Sequence, residues 1–183
     1  MEKSNIDEKI KLLTGSGMWH TQEVEDLPSV HLSDGPHGLR KQEEKERQNN
    51  VSLVSTCYPT ASALACSWDV TAAERLGRAV AKEAWNADVA VLLGPGINMK
   101  RSPLCGRNFE YFSEDPFLAG RLGAAYVSAA QGENVAVSLK HFAANNQETN
   151  RQTSNSQIDE RALREIYPVS YTHLRAHETA ANL

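Results

Sequence analysis

Residues 69–93, DVTAAERLGRAVAKEAWNADVAVLL, decide the fold because a helix pattern and a strand pattern follow one another directly. Asp69 stands where a helix N-cap is expected, and apolar residues then recur at helical spacing up to residue 86. The residues predicted to face inward are Val70, Ala73, Leu76, Val80 and Ala84. Residues 89–93 (VAVLL) are continuously apolar, which predicts a fully buried strand after the helix.

The same alternation of strands and helices recurs on both sides of this stretch. Residues 30–33 predict a strand that ends in a loop at Asp34, and residues 135–139 predict another strand. Pro116 stands at a first helical position, and a further helix is expected from Asp159. Alternating strands and amphipathic helices imply parallel βαβ units, whose ligand sites lie at the carboxyl ends of the strands.

The composition is that of a globular protein with a small or uncharged partner. Hydrophobic residues make up 40% of the chain, charged residues 23%, and the net charge is -4. This balance supplies no basic surface for nucleic acid or for an anionic membrane. The first residues contain scattered charges and no apolar segment of a secretion signal, so we expect a soluble, cytoplasmic protein. Residues 41–50 (KQEEKERQNN) hold no apolar residue and predict a solvated, mobile loop.

No cofactor or metal is expected. Residues 92–96 (LLGPG) lack the lysine and the hydroxyl residue of a phosphate-binding loop, and they do not match a dinucleotide fingerprint. Cys57, Cys66 and Cys105 are far apart and form no CxxC pair, which favours reduced thiols over a disulfide framework or a zinc site.

Polar side chains follow the predicted strands at one edge of the sheet. Asp34 follows the first strand, Arg107 lies in the long loop after residues 89–93, and Lys140-His141 follow the last. The same loops carry Asn108, Glu110, Asn145, Asn146, Glu148 and Arg151. Sugar hydroxyls both donate and accept hydrogen bonds, so a sugar pocket needs carboxylates interleaved with fixed donors such as arginine, lysine and imidazole. These residues therefore suit a polyol.

Two alternatives bear on these candidates. An aspartate before Gly-Pro is often only a turn residue, so Asp34 in isolation leaves both interpretations open. Lys140 and His141 directly follow a buried apolar strand, so their polar groups must be either desolvated or directed into a pocket. Lys140 and His141 are therefore a stronger indication of a site than Asp34.

Four segments carry a specific resemblance to a known family. They are SDGPHGLR (33–40), GPGINMKRSPLCGRNFEYFSEDP (94–116), SLKHFAANNQETNR (138–151) and DERALREIY (159–167). In this order and spacing they resemble the signature segments of the glycoside hydrolase family 3 β-glucosidases. The AANNQETNR that follows Lys140-His141 resembles the β-glucosidase and β-xylosidase branch, because the N-acetylglucosaminidase branch has a proline- and glycine-rich turn at that place.

The resemblance implies a fold and a set of ligands. The fold class is α/β, a truncated (β/α)8 TIM-like barrel comprising roughly its amino-terminal half, since a complete barrel usually needs about 250 residues. Asp34, Arg107, Lys140 and His141 are implied to bind the hydroxyls of the sugar in the subsite next to the scissile bond. In the family the Lys-His peptide bond is commonly cis. Glu148 and Arg151 are expected to position their loop.

The resemblance also implies an activity and a gap. The activity is that of a retaining β-glycosidase that hydrolyses terminal non-reducing β-D-glycosyl residues of a small-molecule β-glycoside or an oligosaccharide. Its nucleophile is an aspartate in a Ser-Asp-Trp type motif, and its acid/base comes from a second domain. Neither motif occurs here, because Ser67 and Trp68 have no aspartate between them. We therefore expect no catalytic residue within these 183 residues and an inactive fragment.

The last residues carry a resemblance of another kind. Residues 169–179 (VSYTHLRAHET) resemble the translation of a common transposase-based sequencing-library adapter. We therefore divide the chain into a partial barrel domain, residues 1–167, and a non-native tail, residues 168–183. His173 and His177 have a metal-like i, i+4 spacing, but we give it no weight within an adapter-derived segment.

Two other functions compete with a glycosidase fragment. One is a non-catalytic carbohydrate-binding relative that kept the four ligand residues and lost the catalytic carboxylates. The other is a phosphate- or nucleotide-binding α/β protein, which the absent glycine-lysine loop disfavours.

Overall fold

The computed structural model describes residues 6–42 and 51–178. Residues 1–5, 43–50 and 179–183 lie outside the described part, and they include most of the stretch 41–50 for which we predict a solvated loop. Lys41 is described, and its Nζ donates to the carbonyl oxygen of Ala87 at 2.6 Å. The first residue of that stretch is therefore tied to the body of the protein.

Three short parallel strands form the sheet. They are β1 (Leu32–Asp34), β2 (Val91–Leu93) and β3 (Ala136–Val137), in the order β1-β2-β3. Asp34 pairs with Leu93, and Leu92 pairs with Val137. The parallel pairing predicted from the alternating pattern is confirmed, and all three strands present their carboxyl ends at one edge.

Helices connect and cover these strands. Their bounds are α1 (Ile6–Lys11), α2 (Ala61–Ala65), α3 (Val70–Asn86), α4 (Pro116–Gln131), α5 (Glu160–Glu165) and α6 (Tyr167–Glu178), with a 3-10 turn at Asn108–Glu110. No helix within residues 6–42 and 51–178 combines the length and the apolar character needed to cross a membrane. The helices α3 and α4 are the long ones that link one strand to the next.

Aspartate caps determine where three of these helices begin. The Asp69 carboxylate accepts from the Thr71 amide at 2.9 Å, as predicted, and Asp115 accepts from the Phe117 amide at 3.0 Å. Asp159 does the same for the Ala162 amide at 2.9 Å. Each carboxylate satisfies an otherwise unpaired amide of the first turn and complements the positive end of the helix.

The core forms where α3 packs on α4. Val80, Leu122 and Tyr126 are fully buried in one cluster together with Leu92 of the central strand. At Gly77 the two helices approach so closely that a Cβ would lie 2.3 Å from the carbonyl oxygen of Tyr126. Only glycine allows this approach, so the residue sets the distance between the two helices.

Three burial predictions are wrong. The strand before Lys140 is not buried, because β3 leaves Ala136 exposed and Val137 half-buried. Residues 89–93 do not form a fully buried strand, because only Leu92 is buried within β2 while Val91 and Leu93 remain partly accessible. Successive side chains of a strand point to opposite faces, and one face of this sheet is less well covered. Val70 was placed on the inward face of α3, but it is 37% exposed as the first residue of the helix.

Helix α6 extends beyond the last predicted helix. It packs against α4, where Leu174 is fully buried and the Ser170 hydroxyl donates to the carbonyl oxygen of Pro116 at 3.0 Å. Tyr167, Ser170 and Leu174 follow at helical spacing, and this stripe is sufficient to bury one face. We predicted no helix here because we assigned residues 168–183 to a foreign tail.

Candidate functional site

Three chain segments meet at the carboxyl edge of the sheet. Asp34 ends β1, the 3-10 turn in the loop after β2 carries Glu110, and Lys140 follows β3. Main-chain contacts hold the loops together, since the amide of Ile97 donates to the carbonyl oxygen of Lys140 at 2.7 Å. The predicted convergence of these loops is therefore present.

The turn after Asp34 is made by glycine. Gly35 has a φ of 109°, and a Cβ there would lie 2.0 Å from the carbonyl oxygen of Gly38. The chain consequently folds back on itself, and the amide of Arg40 donates to the carbonyl oxygen of Asp34 at 2.9 Å. This fixes the backbone of Asp34 and with it the direction of its side chain.

Lys140 lies between two carboxylates. Its Nζ is 2.6 Å from Asp34 Oδ1 and 3.0 Å from Glu110 Oε2. The Lys140 side chain is 13% exposed and the Glu110 side chain only 5%, so these charges interact largely out of water. Arg107 Nε donates to the other oxygen of Glu110. Negative and positive groups thus alternate from Asp34 to Arg107.

Neighbouring groups favour the ionised forms of Asp34 and Arg107. Burial alone would favour a neutral Asp34, but the hydrogen bond and the charge of Lys140 outweigh it and lower the pKa of the carboxyl. Burial also opposes the charge of Arg107, yet the hydrogen bond from its guanidinium to Glu110 raises its pKa. Asp34 is therefore an acceptor and Arg107 a donor over the whole neutral range.

His141 is adjacent to this cluster and has a different environment. The hydroxyl of Tyr111 lies 2.8 Å from His141 Nδ1, and the two rings meet edge to face with their centroids 5.7 Å apart. Burial lowers the pKa of His141 to about 4, and the charges of Arg107 and Lys140 act in the same direction. The imidazole is consequently neutral at physiological pH.

A cavity of about 360 Å³ opens over the charged cluster. Its walls include Asp34, His37, Arg107, Phe109, Glu110 and Arg151. The volume lies within the range of small-molecule sites, and the carboxylates and guanidinium groups supply the convergent polar contacts that such a site needs. Among residues 6–42 and 51–178, no group of three or more histidines, cysteines and acidic residues is arranged to hold a metal ion.

The structure brings together three of the four predicted ligands and places the fourth beside them. Asp34 and Arg107 line the cavity, and Lys140 contacts Asp34 directly. His141 does not line it, but it lies within electrostatic range of Arg107 and Lys140. The Lys140-His141 peptide bond is cis, in agreement with the resemblance.

Two members of the site were not selected from the sequence. Glu110 was one of several polar residues in its loop, and its i, i+3 spacing from Arg107 could have indicated an ion pair. Tyr111 is completely buried. Its sequence context did not indicate a role in the site, because an aromatic residue after a polar turn is usually an ordinary core residue.

Comparison with known proteins identifies the family. The model of the glycosyl hydrolase family 3 N terminal domain matches residues 31–180 of the chain. The chain belongs to glycosyl hydrolase family 3. The resemblance inferred from the four sequence segments is thereby confirmed.

Relatives of this family 3 chain are similar over nearly its whole length. It is 51% identical over 175 residues to thermostable beta-glucosidase B of Acetivibrio thermocellus, covering 93% of this chain and 23% of that protein. It is 47% identical to an exo-alpha-(1->6)-L-arabinopyranosidase of Bifidobacterium longum, covering 92% of this chain and 23% of that protein. The chain thus spans about a quarter of the length of these relatives.

A solved structure agrees with the fold of the family 3 chain. The beta-glucosidase of Kluyveromyces marxianus in complex with glucose superposes with a TM-score of 0.86 at 43% identity. The match covers 94% of this chain and 20% of that one. The arrangement of the three strands and their helices is therefore that of a segment of a family 3 β-glucosidase.

Proposed function

We propose that this chain is the sugar-holding part of a retaining β-glycosidase that hydrolyses terminal non-reducing β-D-glycosyl residues. The observation that carries the proposal is the alternating cluster of Asp34, Lys140, Glu110 and Arg107 at the carboxyl edge of the sheet. This cluster lies on a parallel sheet, in a chain that belongs to a glycosidase family.

The chemistry of a sugar ring explains why such a cluster is suitable. Each hydroxyl can donate one hydrogen bond and accept others, so vicinal hydroxyls pair best with a carboxylate next to a cationic donor. Asp34 is kept ionised and accepts, while Arg107 presents donors in a rigid fork. The paired charges are already in place before a sugar arrives, which reduces the cost of organising them on binding.

The relatives support a pyranoside as ligand. One relative is a beta-glucosidase, another is an exo-alpha-(1->6)-L-arabinopyranosidase, and one solved structure is a beta-glucosidase in complex with glucose. These sugars share a six-membered ring that carries vicinal hydroxyls. The charged cluster would hold the hydroxyls that they share.

We further propose that residues 1–167 are the amino-terminal part of a larger (β/α)8 barrel domain and that residues 168–183 are a foreign tail. The parallel order β1-β2-β3 and the crossover helices α3 and α4 suit the first part of such a barrel. The proposed origin of the tail rests on its resemblance to a translated adapter. Re-sequencing the source locus tests it: a native reading frame that encodes VSYTHLRAHET there would refute the tail.

The reaction itself is proposed to need groups outside these 183 residues. A retaining glycosidase uses one carboxylate as nucleophile and a second carboxyl group as acid, separated by about 5 to 5.5 Å. Asp34 and Glu110 both contact Lys140, so the two carboxylates are close enough to be considered as such a catalytic pair. However, a general acid must carry a proton at working pH, and the pKa of Asp34 is lowered by Lys140. Asp34 is therefore assigned to ligand binding and not to proton donation.

Ligand binding and turnover test this proposal separately. We expect the 183-residue chain to bind glucose weakly in an NMR titration, and Asp34→Asn to weaken binding by about 1.5 to 3 kcal/mol, the usual contribution of a hydrogen bond to a charged group. Glu165→Gln, on the exposed surface of α5, is the matched control and should leave binding unchanged. Equal affinity of Asp34→Asn and the unaltered chain would remove the proposed site. Turnover of an aryl β-glucoside above that of Asp34→Asn would show that the catalytic carboxylates lie within this chain.

A further inference from the structure

We propose that Glu148, Asn145 and Tyr111 form a directional hydrogen-bond relay that fixes the His141 imidazole with its proton on Nε2, so that the ring donates to a ligand. Tyr111 and Asn145 are then positioning residues that act through His141. The ligand part of this inference rests on the proposed sugar site, whereas the position of the proton does not.

The direction of the relay begins at Glu148. Asn145 Nδ2 lies 2.9 Å from Glu148 Oε1, and Arg151 Nη1 donates to the other carboxylate oxygen at 3.1 Å. An ionised carboxylate only accepts hydrogen bonds. The amino group of the Asn145 side chain must therefore face Glu148, and this decides an orientation that an amide on its own leaves open.

The backbone of Asn145 is held in place independently. Its amide donates to Asn98 Oδ1 at 3.0 Å, and its carbonyl oxygen accepts from Asn98 Nδ2 at 3.2 Å. Asn98 is only 2% exposed, and it lies in the loop after β2. This double contact anchors Asn145, so its side chain has little freedom to choose other partners.

The next step passes through Tyr111. The same Asn145 Nδ2 lies 2.7 Å from the Tyr111 hydroxyl, which therefore accepts a hydrogen bond from the amide. A phenol has one proton, and burial raises the pKa of Tyr111, so this proton stays on the oxygen. Among the described residues, its other hydrogen-bond neighbour is His141 Nδ1 at 2.8 Å. Tyr111 consequently donates to Nδ1.

A neutral imidazole carries a proton on only one of its nitrogens. Because Nδ1 accepts from Tyr111, the proton of His141 must be on Nε2. The opposite tautomer would place the Nδ1 proton against the hydroxyl, whose own proton would then have to point at the amino group of Asn145. Within residues 6–42 and 51–178, the hydrogen-bond partner of the His141 ring is Tyr111, which leaves Nε2 to donate elsewhere.

A donor without a charge suits this position. Lys140 and Arg107 already bring positive charges to the site, and both disfavour a further cation at His141. A neutral ring with a fixed Nε2 proton adds a donor and no repulsion. The relay thus orients the His141 ring, just as the ion pairs orient the side chains of Lys140 and Arg107.

The experiment reads the tautomer directly. In the full 183-residue chain labelled with ¹⁵N in histidine, long-range ¹H–¹⁵N correlations at pH 7 distinguish a protonated from an unprotonated ring nitrogen. We expect His141 to show an unprotonated Nδ1 and a protonated Nε2, with its signals assigned by their loss in His141→Gln. A protonated Nδ1 in the unaltered chain would overturn the proposal.

A matched pair of substitutions reverses the relay. Asn145→Asp combined with Glu148→Gln exchanges the amide and the carboxylate and leaves the net charge unchanged. Residue 145 then only accepts, so the Tyr111 hydroxyl donates to it and His141 should switch to the Nδ1-protonated tautomer. Retention of the Nε2 tautomer in a folded double variant would refute the direction. Tyr111→Phe is the second test, and we expect it to give a mixture of both tautomers.

Addition of glucose separates this inference from the proposed function. We expect the Nε2 resonance of His141 to move on titration while Nδ1 stays unprotonated. An Nε2-protonated ring in a chain that binds no sugar would refute the proposed function and leave the relay intact. Sugar binding that moves the signals of residues around Asp34 but not Nε2 would refute the donor role of His141.

Discussion

The ammonium group of Lys140 lies 2.6 Å from the carboxylate of Asp34 and joins the two outer strands of the sheet across the central one. The two residues are 106 positions apart in the chain. Their contact connects the end of β1 to the loop that follows β3. A substitution that breaks this ion pair should therefore affect both the stability of the sheet edge and the binding site.

Replacement of this lysine should be costly. Lys140→Met removes the ammonium partner of Asp34 and Glu110 but leaves Arg107 beside Glu110, so we expect a loss of about 1.5 to 3 kcal/mol in the free energy of unfolding, the usual contribution of a hydrogen bond to a charged group. Urea denaturation at pH 7 measures this. Arg164→Met removes an exposed ion pair on α5 and should cost less than about 1 kcal/mol. Similar losses for the two variants would mean that the buried pair contributes no more than a surface pair.

The pH dependence of stability should show the contribution of His141. Its pKa falls from 6.5 to about 4 in the folded protein, so the unfolded chain binds the proton more strongly. Stability from this group is therefore complete above pH 6.5 and decreases as the pH falls toward 4. His141→Gln should flatten the dependence of the urea midpoint on pH in this window. His37→Gln is a useful comparison, because burial lowers the pKa of His37 as well. Parallel profiles for His141→Gln and the unaltered chain would contradict this assignment.

The contact between α3 and α4 should not tolerate a methyl group at Gly77. A Cβ there would lie 2.3 Å from the carbonyl oxygen of Tyr126, so the helices must move apart. We expect Gly77→Ala to destabilise the protein by about 1 to 3 kcal/mol, as overpacking of a core does. Gly132→Ala is the control, because a Cβ at that position would have ordinary contacts of 3.4 Å. Thermal unfolding distinguishes the two, and equal transition temperatures would show that the helices separate without cost.

The packing of α6 can be tested at Leu174. This side chain is fully buried against α4, and Leu174→Ala should lower the free energy of unfolding by about 2 to 5 kcal/mol. Thr172→Ala changes an exposed residue of the same helix and should have little effect. If both variants are as stable as the unaltered chain, α6 does not contribute to the fold in solution. The result would bear on the role of residues 167–178 whatever their origin.

Sequence patterns predicted the bounds of helix α3 better than the bounds of the strands, although α1, α2 and α6 were not predicted. The bounds of α3 were correct because Asp69 caps the first turn and the apolar residues follow one face, both of which are local properties. The strands are shorter than predicted, since residues 89–93 contribute only Val91–Leu93 to the sheet. A strand ends where its neighbours end, and this depends on residues far away in the chain.

The site was predictable to a similar extent. Asp34 and Lys140 could be placed at one edge because parallel strands align their carboxyl ends. The roles of Glu110 and Tyr111 depend on contacts between separate loops, and the hydrogen bond of Tyr111 to His141 crosses 30 positions. Such contacts leave no periodicity in the sequence. Asp34, Arg107 and Lys140 were therefore recognised, whereas Glu110 and Tyr111, which contact them or His141, were not.

The tie between Asp34 and Lys140 also has a consequence during synthesis. Ribosomes add roughly 5 to 20 residues per second, so the lysine follows the aspartate by about 5 to 20 s over 106 positions. During that interval the carboxylate of Asp34 lacks its ammonium partner, even once β1 can pair with β2. A contact between residues so far apart in the chain forms slowly, and the site is among the last parts of this edge to form. A nascent chain would therefore acquire its capacity to hold a ligand only after the third strand has emerged.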